Sequence, residues 1–153
     1  MLQHWQEGVP DDRLAHLVKD ATRAFLRSLQ CRLARHDVQL GHWTFLRILW
    51  EKDGLTQAEL SSEAGVMAPT TAIALKAMEE LGYVVRKQRP DNRKSIYVFL
   101  TPTGKRLKAK LVPFAEEVNA LAVKSLTDAN VRIVRRSLLT IIENLANDEC
   151  IQG

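Results

Sequence analysis

The sequence predicts a mainly α fold (α+β) in which a series of helices is interrupted once by a β-hairpin. Two observations carry this prediction. Apolar residues recur at helical spacing over most of the 153 residues. Between Tyr83 and Leu100 that spacing gives way to β-branched and aromatic residues on both sides of the turn-forming run PDNRK. With 46% hydrophobic residues, a chain of this length can bury the core of one domain, which we expect to span 1–153.

The N-terminal part of the chain is predicted to form two helices. The first begins near Pro10 and Asp11, and its apolar residues repeat every three or four positions as far as Leu33. The second follows Gly41 and ends at Gly54. Both have an apolar face, so both are expected to pack against other elements.

A short third helix and a longer fourth helix are predicted next. Thr56 can cap the third helix while Glu59 reaches back to its first amide, which is a capping box. Gly65 suits the left-handed residue that commonly ends a helix. The fourth helix is predicted from about Ala68 to Leu81. Its inward face is expected to consist of Thr71, Ala74, Leu75, Met78 and part of Leu81.

Two more helices are predicted after the hairpin. Thr101 can cap a long fifth helix that contains Pro113 as a bend, and the last helix begins near Thr127. The arrangement over 37–100 is that of a winged helix-turn-helix, with the hairpin as the wing. The flanking helices, 1–36 and 101–153, have apolar faces too extensive for this small module to cover. Pairing of two copies across a two-fold axis is the predicted solution, and a self-contained helical extension is the alternative.

The basic residues are concentrated around the hairpin. The net charge is only +4, but from Arg86 to Lys110 there are nine lysines and arginines and a single acid, Asp91. Such a one-sided block is typical of a surface that binds polyanions. A basic face that is simply solvated remains the alternative.

Three runs of sequence resemble the MarR family of bacterial transcriptional regulators. They are LTQAELSSEAGV, MEELGYVVR and PDNRKSIYVFLTPTGKRL, and the similarity extends over most of the chain. The resemblance implies a homodimer that binds a pseudo-palindromic operator in double-stranded DNA, usually as a repressor. It also implies release by a small aromatic or phenolic acid, or by an oxidant. A winged-helix interaction module and a DNA-binding protein without an effector remain the alternatives.

The resemblance carries the family's Asp-x-Arg wing onto Asp91 and Arg93. A guanidinium at a hairpin tip suits the narrow minor groove, where negative potential is concentrated. Asp91 is expected to hold the tip by accepting a hydrogen bond from Arg93 or a turn amide. Phosphate contacts are predicted for Lys87, Arg89 and Lys94 on the strands, and for Gln57, Ser61 and Ser62 on the third helix. A solvated helix face is an equally good account of the two serines.

The fourth helix, in the position of a recognition helix, departs from the family pattern. Met67 stands where a serine cap is common, and Ile73 where an arginine is frequent. Neither side chain can donate a hydrogen bond to a base, so we expect this helix to read thymine methyl groups and groove shape. Its predicted DNA-facing residues are Ala68, Pro69, Thr70, Ala72, Ile73 and Lys76.

The resemblance also implies an effector site in the cleft between the winged domain and the flanking helices, where Trp43 could stack on an aromatic ring and Arg47 or Arg86 could meet a carboxylate. Trp43 is also a good core residue, and Arg86 could instead bind DNA or brace the wing.

The remaining signals predict no catalysis, no cofactor and no metal. His16, His36 and His42 do not have the spacing of a zinc site. Cys31 and Cys150 could sense an oxidant, although idle thiols are commoner. No signal peptide or long apolar run is present, so the chain is expected in the cytoplasm and without a membrane partner.

Overall fold

The structure, a computed structural model, describes residues 13–153. The predicted start of the first helix near Pro10 and Asp11 lies outside the described residues. The elements are α1 (Leu14–Leu33), α2 (Leu40–Glu51), β1 (Leu55–Thr56), α3 (Gln57–Ala64), α4 (Ala68–Glu80), β2 (Val84–Arg89), β3 (Asn92–Leu100), α5 (Pro102–Ala122), α6 (Asp128–Ala146) and α7 (Glu149–Gln152). One 3-10 turn, Ala34–His36, follows α1. The mainly helical fold with a wing is therefore confirmed.

The helix ends form as the capping residues predict. The hydroxyl of Thr56 accepts a hydrogen bond from the amide of Glu59 at 3.1 Å, and Gly65 ends α3 with φ of 65°. The return contact differs from the prediction, because the Glu59 carboxylate accepts from the Thr56 hydroxyl at 3.1 Å. The hydroxyl of Thr101 caps α5 as predicted, and that of Thr127, near which the last helix was predicted to begin, caps α6. Two features differ from the prediction. Helix α2 ends at Glu51 rather than Gly54, and α7 was not predicted.

The wing belongs to a three-stranded antiparallel sheet in the order β1-β3-β2. Leu55 pairs with Val98, and Val84 pairs with Leu100. The sequence did not predict β1, because two residues are too few to show an alternating pattern. This short strand joins the beginning of α3 to the base of the wing, which fixes the position of α3 relative to the hairpin.

The helix-turn-helix and the sheet share one hydrophobic core. The residues that are almost fully buried include Leu33, Val38, Phe45, Leu46, Leu49, Leu60, Leu75, Met78, Val84, Val98 and Leu111. They come from α1, α2, α3, α4, both wing strands and α5. The inward face predicted for α4 is confirmed, apart from Leu81, which is exposed.

The chain divides into two compact units, one that ends at Val118 and one that spans Asn119–Gly153. The second unit comprises the last residues of α5 together with α6 and α7. In α6, the large apolar side chains on one face are exposed, and in the first unit so are those along α1. In α6 they are Ile133, Val134, Leu138, Leu139, Ile142 and Leu145, and in α1 they are Leu14, Leu17, Val18, Phe25 and Leu26.

Candidate nucleic-acid interface

A hydrogen bond inside the core fixes α4 on α3. Thr71 points inward from α4 and is fully buried. The Ser61 hydroxyl on α3 donates to the Thr71 hydroxyl at 2.7 Å. Ser61 was predicted to contact phosphate, but here its only proton is given to Thr71. The structure thus gives Ser61 a bracing role, and a phosphate contact by its hydroxyl proton would require this bond to break.

The opposite face of α4 is open to solvent. Ile73 is 73% exposed and Met67, just before the helix, is 76% exposed. Met67 makes no side-chain capping bond. Lys76 lies one turn after these apolar groups and is also exposed. Of the other residues predicted to face DNA, Ala68, Pro69 and Thr70 are exposed and Ala72 is partly buried.

The tip of the wing contains a bulge. Gln88 pairs with Ile96, whereas Arg89 pairs with Asn92, so residues 93–95 have no partners on β2. The turn itself is only Pro90 and Asp91. The side-chain amide of Asn92 donates to the Ser95 hydroxyl at 3.1 Å, which closes the bulge.

Arg93 and Lys94 are therefore both presented by the bulge of β3, where Lys94 was predicted on a strand and Arg93 at the hairpin tip. Both side chains are exposed. The predicted brace between Asp91 and Arg93 is not among the hydrogen bonds of residues 13–153, and it stays a prediction. A bulge re-aims side chains away from the sheet. It gives these two cations an orientation that a regular hairpin would not.

Aromatic rings of β3 lie beneath two basic residues of β2, Lys87 and Arg89. The guanidinium carbon of Arg89 is 4.2 Å from the centroid of the Tyr97 ring. The ammonium of Lys87 is 5.9 Å from the centroid of the Phe99 ring. A cation over a ring face is attracted by the electrons of the ring. These contacts restrict where the charges lie on the surface of the wing.

Arg86 connects the wing to both helices of the helix-turn-helix. Its backbone amide and its Nη2 donate to the two carboxylate oxygens of Glu79 on α4, at 3.0 and 3.3 Å. Its Nη1 donates to the side-chain oxygen of Gln57 on α3 at 3.3 Å. The hydrogen bonds from Arg86 hold the pKa of the Glu79 carboxyl below its ordinary value. Arg86 thus braces the wing, which was one of its predicted roles, and the side-chain nitrogen of Gln57 remains available to a phosphate.

A cleft of about 250 Å³ lies where α3, α4 and the wing meet. The first turn of α3 lines this cleft, and a helix N-terminus attracts anions. Lys94 from the bulge adds a positive charge at the same place. The lining residues are Thr56, Gln57, Ala58, Ser61, Ala68, Lys94, Ser95 and Ile96. The arrangement suits a phosphate of the DNA backbone.

The three residues predicted to bind an effector do not form one site. Trp43 is buried and packs edge-on against Trp50, with ring centroids 5.6 Å apart. The indole nitrogen of Trp50 in turn donates to the carbonyl of Gly104 at 2.9 Å. Arg47 lies on the exposed surface of α2, and Arg86 is held by Glu79. The core interpretation of Trp43 is therefore the one that the structure supports.

A different cleft, of about 370 Å³, lies between α1, α2 and the end of α4. His42 from α2 is 95% buried there, since only 5% of it is exposed. Its Nδ1 is enclosed and has no hydrogen-bond partner within the described chain. Burial lowers the pKa of His42. Sequence reasoning missed this cleft, because its residues come from three separate segments. The lining residues are Gln30, Ala34, Asp37, Val38, Gln39, His42 and Leu81.

Three other predictions concern metal binding, the two cysteines and membrane-spanning helices. From residue 13 onward, no three metal-binding side chains come together. Cys31 and Cys150 are exposed free thiols. Within the same part of the chain, no helix has the length and apolar character needed to cross a membrane.

Comparison with known proteins identifies relatives of one kind. The sequence model of the MarR family matches residues 38–96. The HTH-type transcriptional regulator TtmR of Methylorubrum extorquens is 33% identical over 138 residues, which are 90% of this chain and 66% of that protein. The organic hydroperoxide resistance transcriptional regulator of Bacillus subtilis is 24% identical over 88% of this chain and 90% of its own length.

Solved structures show the same similarity. A MarR transcriptional regulator from Methanosarcina mazei superimposes with a TM-score of 0.82 at 27% identity, over 88% of this chain and 96% of that one. A MarR family regulator from Listeria monocytogenes, complexed with a 26mer DNA, gives a TM-score of 0.78 at 25% identity. That match covers 88% of this chain and 89% of the Listeria chain.

Proposed function

This chain belongs to the MarR family of DNA-binding transcriptional regulators, and from this premise we propose that it acts as a homodimeric repressor. The dimer binds a pseudo-palindromic operator through the wing and α4 of each copy, and a small ligand releases it. The observation that carries the proposal is the cleft where α3, α4 and the wing bulge meet. There, Ala68 at the start of α4, the first turn of α3 and Lys94 of the bulge line one cleft.

A second copy of the chain is the proposed partner of the exposed apolar faces. Each of α1 and α6 exposes at least five large apolar side chains. Contiguous apolar surface of this kind in a protein is usually covered by another chain. A two-fold axis would place two wings on one duplex, and half-sites one helical turn apart would then match the two recognition helices.

In this proposal the two parts of the interface do different work. Arg93 and Lys94 pair with no acid among residues 13–153, so they supply charge to phosphates or to the minor groove. The exposed face of α4 offers methyl groups from Ala68, Thr70 and Ile73. Methyl groups discriminate thymine from other bases in the major groove, but they add little affinity on their own. Affinity is thus assigned mainly to the wing, and sequence preference to α4 and groove shape.

The test compares Arg93→Ala with Ile73→Ala in gel-shift titrations over a series of salt concentrations. The DNA is the region upstream of the protein's own gene. Loss of one cation from each of two wings should reduce the salt slope by about 2 units, since each neutralised phosphate contributes about 0.9. Ile73→Ala should leave that slope unchanged and alter the preferred sequence. Both side chains are exposed, so neither variant should fail to fold. Equal slopes for Arg93→Ala and wild type would refute the assignment.

A winged-helix interaction module is the second candidate, favoured by the exposed Ile73 on α4 and the exposed Met67 just before it. Such a module would bind DNA weakly and lose it in moderate salt. Competition with unrelated DNA distinguishes the two candidates, because a specific regulator binds its own site roughly a thousandfold or more tightly.

A further inference from the structure

The cleft beside α1 and α2 has the size and one of the features of a ligand site. Its volume of about 370 Å³ falls within the range of small-molecule pockets. His42 lines it and is almost fully buried, yet neither ring nitrogen has a hydrogen-bond partner within residues 13–153. Nδ1 is the enclosed nitrogen, so Nε2 is the atom that can meet a ligand. Buried polar groups normally have partners, so a nearly buried imidazole that forms no hydrogen bond within residues 13–153 is a suitable group for a molecule in the cleft to bond through Nε2.

The charge of the lining is the second feature. Among the seven lining residues there is one charged group at neutral pH, the carboxylate of Asp37, and there is no lysine or arginine. That carboxylate makes no hydrogen bond or ion pair with any part of the chain that the structure describes. Burial lowers the pKa of the His42 imidazole, so His42 does not supply a positive charge that would favour an anion. A carboxylate ligand would therefore face a negative group with no positive group to offset it.

We propose that this cleft binds a small organic cation, with its positive nitrogen against the Asp37 carboxylate and its apolar part against Ala34, Val38 and Leu81. The side-chain amides of Gln30 and Gln39 and the Nε2 of His42 then serve the polar groups of the ligand. This inference rests on the proposed function, whose releasing ligand it specifies. It replaces the aromatic acid that the family resemblance implies, because the lining lacks the base that an acid requires.

The position of the cleft connects it to the recognition helix. Leu81 lines the cleft and is the residue that ends α4. The hydroxyl of Tyr83, two residues later, donates to the backbone carbonyl of Asp37 at 3.3 Å. The backbone at Asp37 is thus hydrogen-bonded to the segment that joins α4 to the wing. A ligand held at this corner contacts the end of the helix that reads DNA.

A series of three probes of nearly equal shape tests the charge requirement. Benzylamine is a cation at neutral pH, benzyl alcohol is neutral and benzoate is an anion. A probe of this size in an open cleft should bind with a dissociation constant on the order of 1 mM. Benzylamine at roughly ten times that concentration should raise the melting temperature of the full chain. It should also shift the NMR resonances of the His42 ring, while benzoate does neither.

Asp37→Asn is the matched variant. Asp37 has φ of 56°, a left-handed conformation that asparagine adopts readily, so the exchange removes the charge and keeps the backbone. The melting temperature of the free variant should equal that of wild type. Its affinity for benzylamine should be at least tenfold lower than that of wild type. Benzylamine should then raise its melting temperature no more than benzyl alcohol does.

Three results would overturn the proposal. They are no response to benzylamine, a stronger response to benzoate, and an Asp37→Asn variant that binds benzylamine as well as wild type does. Operator binding without any probe is measured in parallel. A chain that binds its operator but not benzylamine refutes only this inference, whereas a chain that fails to bind the operator refutes the proposed function.

Discussion

Replacement of Gly104 by alanine should be among the most damaging small changes in this protein. Gly104 is buried in the first turn of α5, where that helix leaves the wing. A Cβ there would overlap the backbone carbonyl oxygen of Tyr83 and would lie 3.2 Å from the Leu100 side chain. The nearest neighbour is backbone, so no change of side-chain rotamer can relieve the overlap. The start of α5 must move away from the sheet.

The size of the effect follows from the contacts that this movement breaks. The carbonyl of Gly104 accepts from the Trp50 indole at 2.9 Å, and the neighbouring Thr101 hydroxyl donates to the Gly82 carbonyl at 2.5 Å. Each such bond contributes a net of about 1 kcal/mol, and overpacking adds about 1–3 kcal/mol. Alanine favours a helix over glycine by about 1 kcal/mol, which offsets part of the loss. The expected fall in the free energy of unfolding is about 2–4 kcal/mol.

Urea and thermal denaturation measure this change. For a chain of this length the melting temperature should fall by roughly 5–15 °C. Gly41→Ala is the matched control, because Gly41 lies in α2 and nothing would come within 4 Å of its Cβ. The free energy of unfolding of that variant should rise by up to about 1 kcal/mol. If Gly104→Ala were as stable as Gly41→Ala, the packing of α5 on the wing described above would be wrong.

Three further predictions concern the braces of the DNA-binding surface. Glu79→Gln should lower the free energy of unfolding by about 1 kcal/mol or less, because the ion pair of Glu79 with Arg86 is partly exposed. The folded pKa of Glu79 lies below 4.5, so the cost should be present above that pH and should disappear in denaturation curves as pH falls through the folded value. Tyr97→Leu should weaken operator binding roughly threefold to tenfold through the freed Arg89, while Tyr97→Phe should not, as measured by fluorescence anisotropy. Ser61→Ala should lower the free energy of unfolding by about 1–3 kcal/mol, because it leaves a buried threonine hydroxyl without its donor; a neutral result in urea denaturation would contradict that brace.

Local chemistry explains what the sequence could predict. The caps at Thr56, Thr101 and Thr127 depend on residues at most three positions away, and all three form. The hairpin follows from a change of period and a turn-forming pair, and it also forms. Such features are visible in one dimension, because the interacting groups are neighbours in the chain.

Contacts between distant segments explain what the sequence could not predict. Arg86 meets Gln57, 29 positions away, and no local pattern distinguishes this arginine from one that binds a ligand or DNA. Trp43 has the same sequence signature whether it lines a pocket or packs on Trp50. The bulge at Arg93 depends on how many residues of β3 lie opposite one step of β2, which composition does not specify. Apart from Arg93, which lies in β3 and not in the turn, the site residues lie on the elements predicted for them, but their partners were not predicted.

The braces also explain why the exposed face of α4 offers so few hydrogen bonds. Of the polar side chains on this helix, Thr71 accepts a hydrogen bond from Ser61 on α3, and Glu79 accepts from Arg86 on the wing. Both lie on the side that fixes the helix in place, which leaves Thr70 and Lys76 as the polar groups among the residues proposed to face DNA. A helix that is held rigidly can discriminate by shape, because a misplaced methyl group cannot be accommodated by a small rotation. Substitutions at the braces should therefore relax sequence preference, whereas substitutions of the wing cations should lower affinity for every sequence alike.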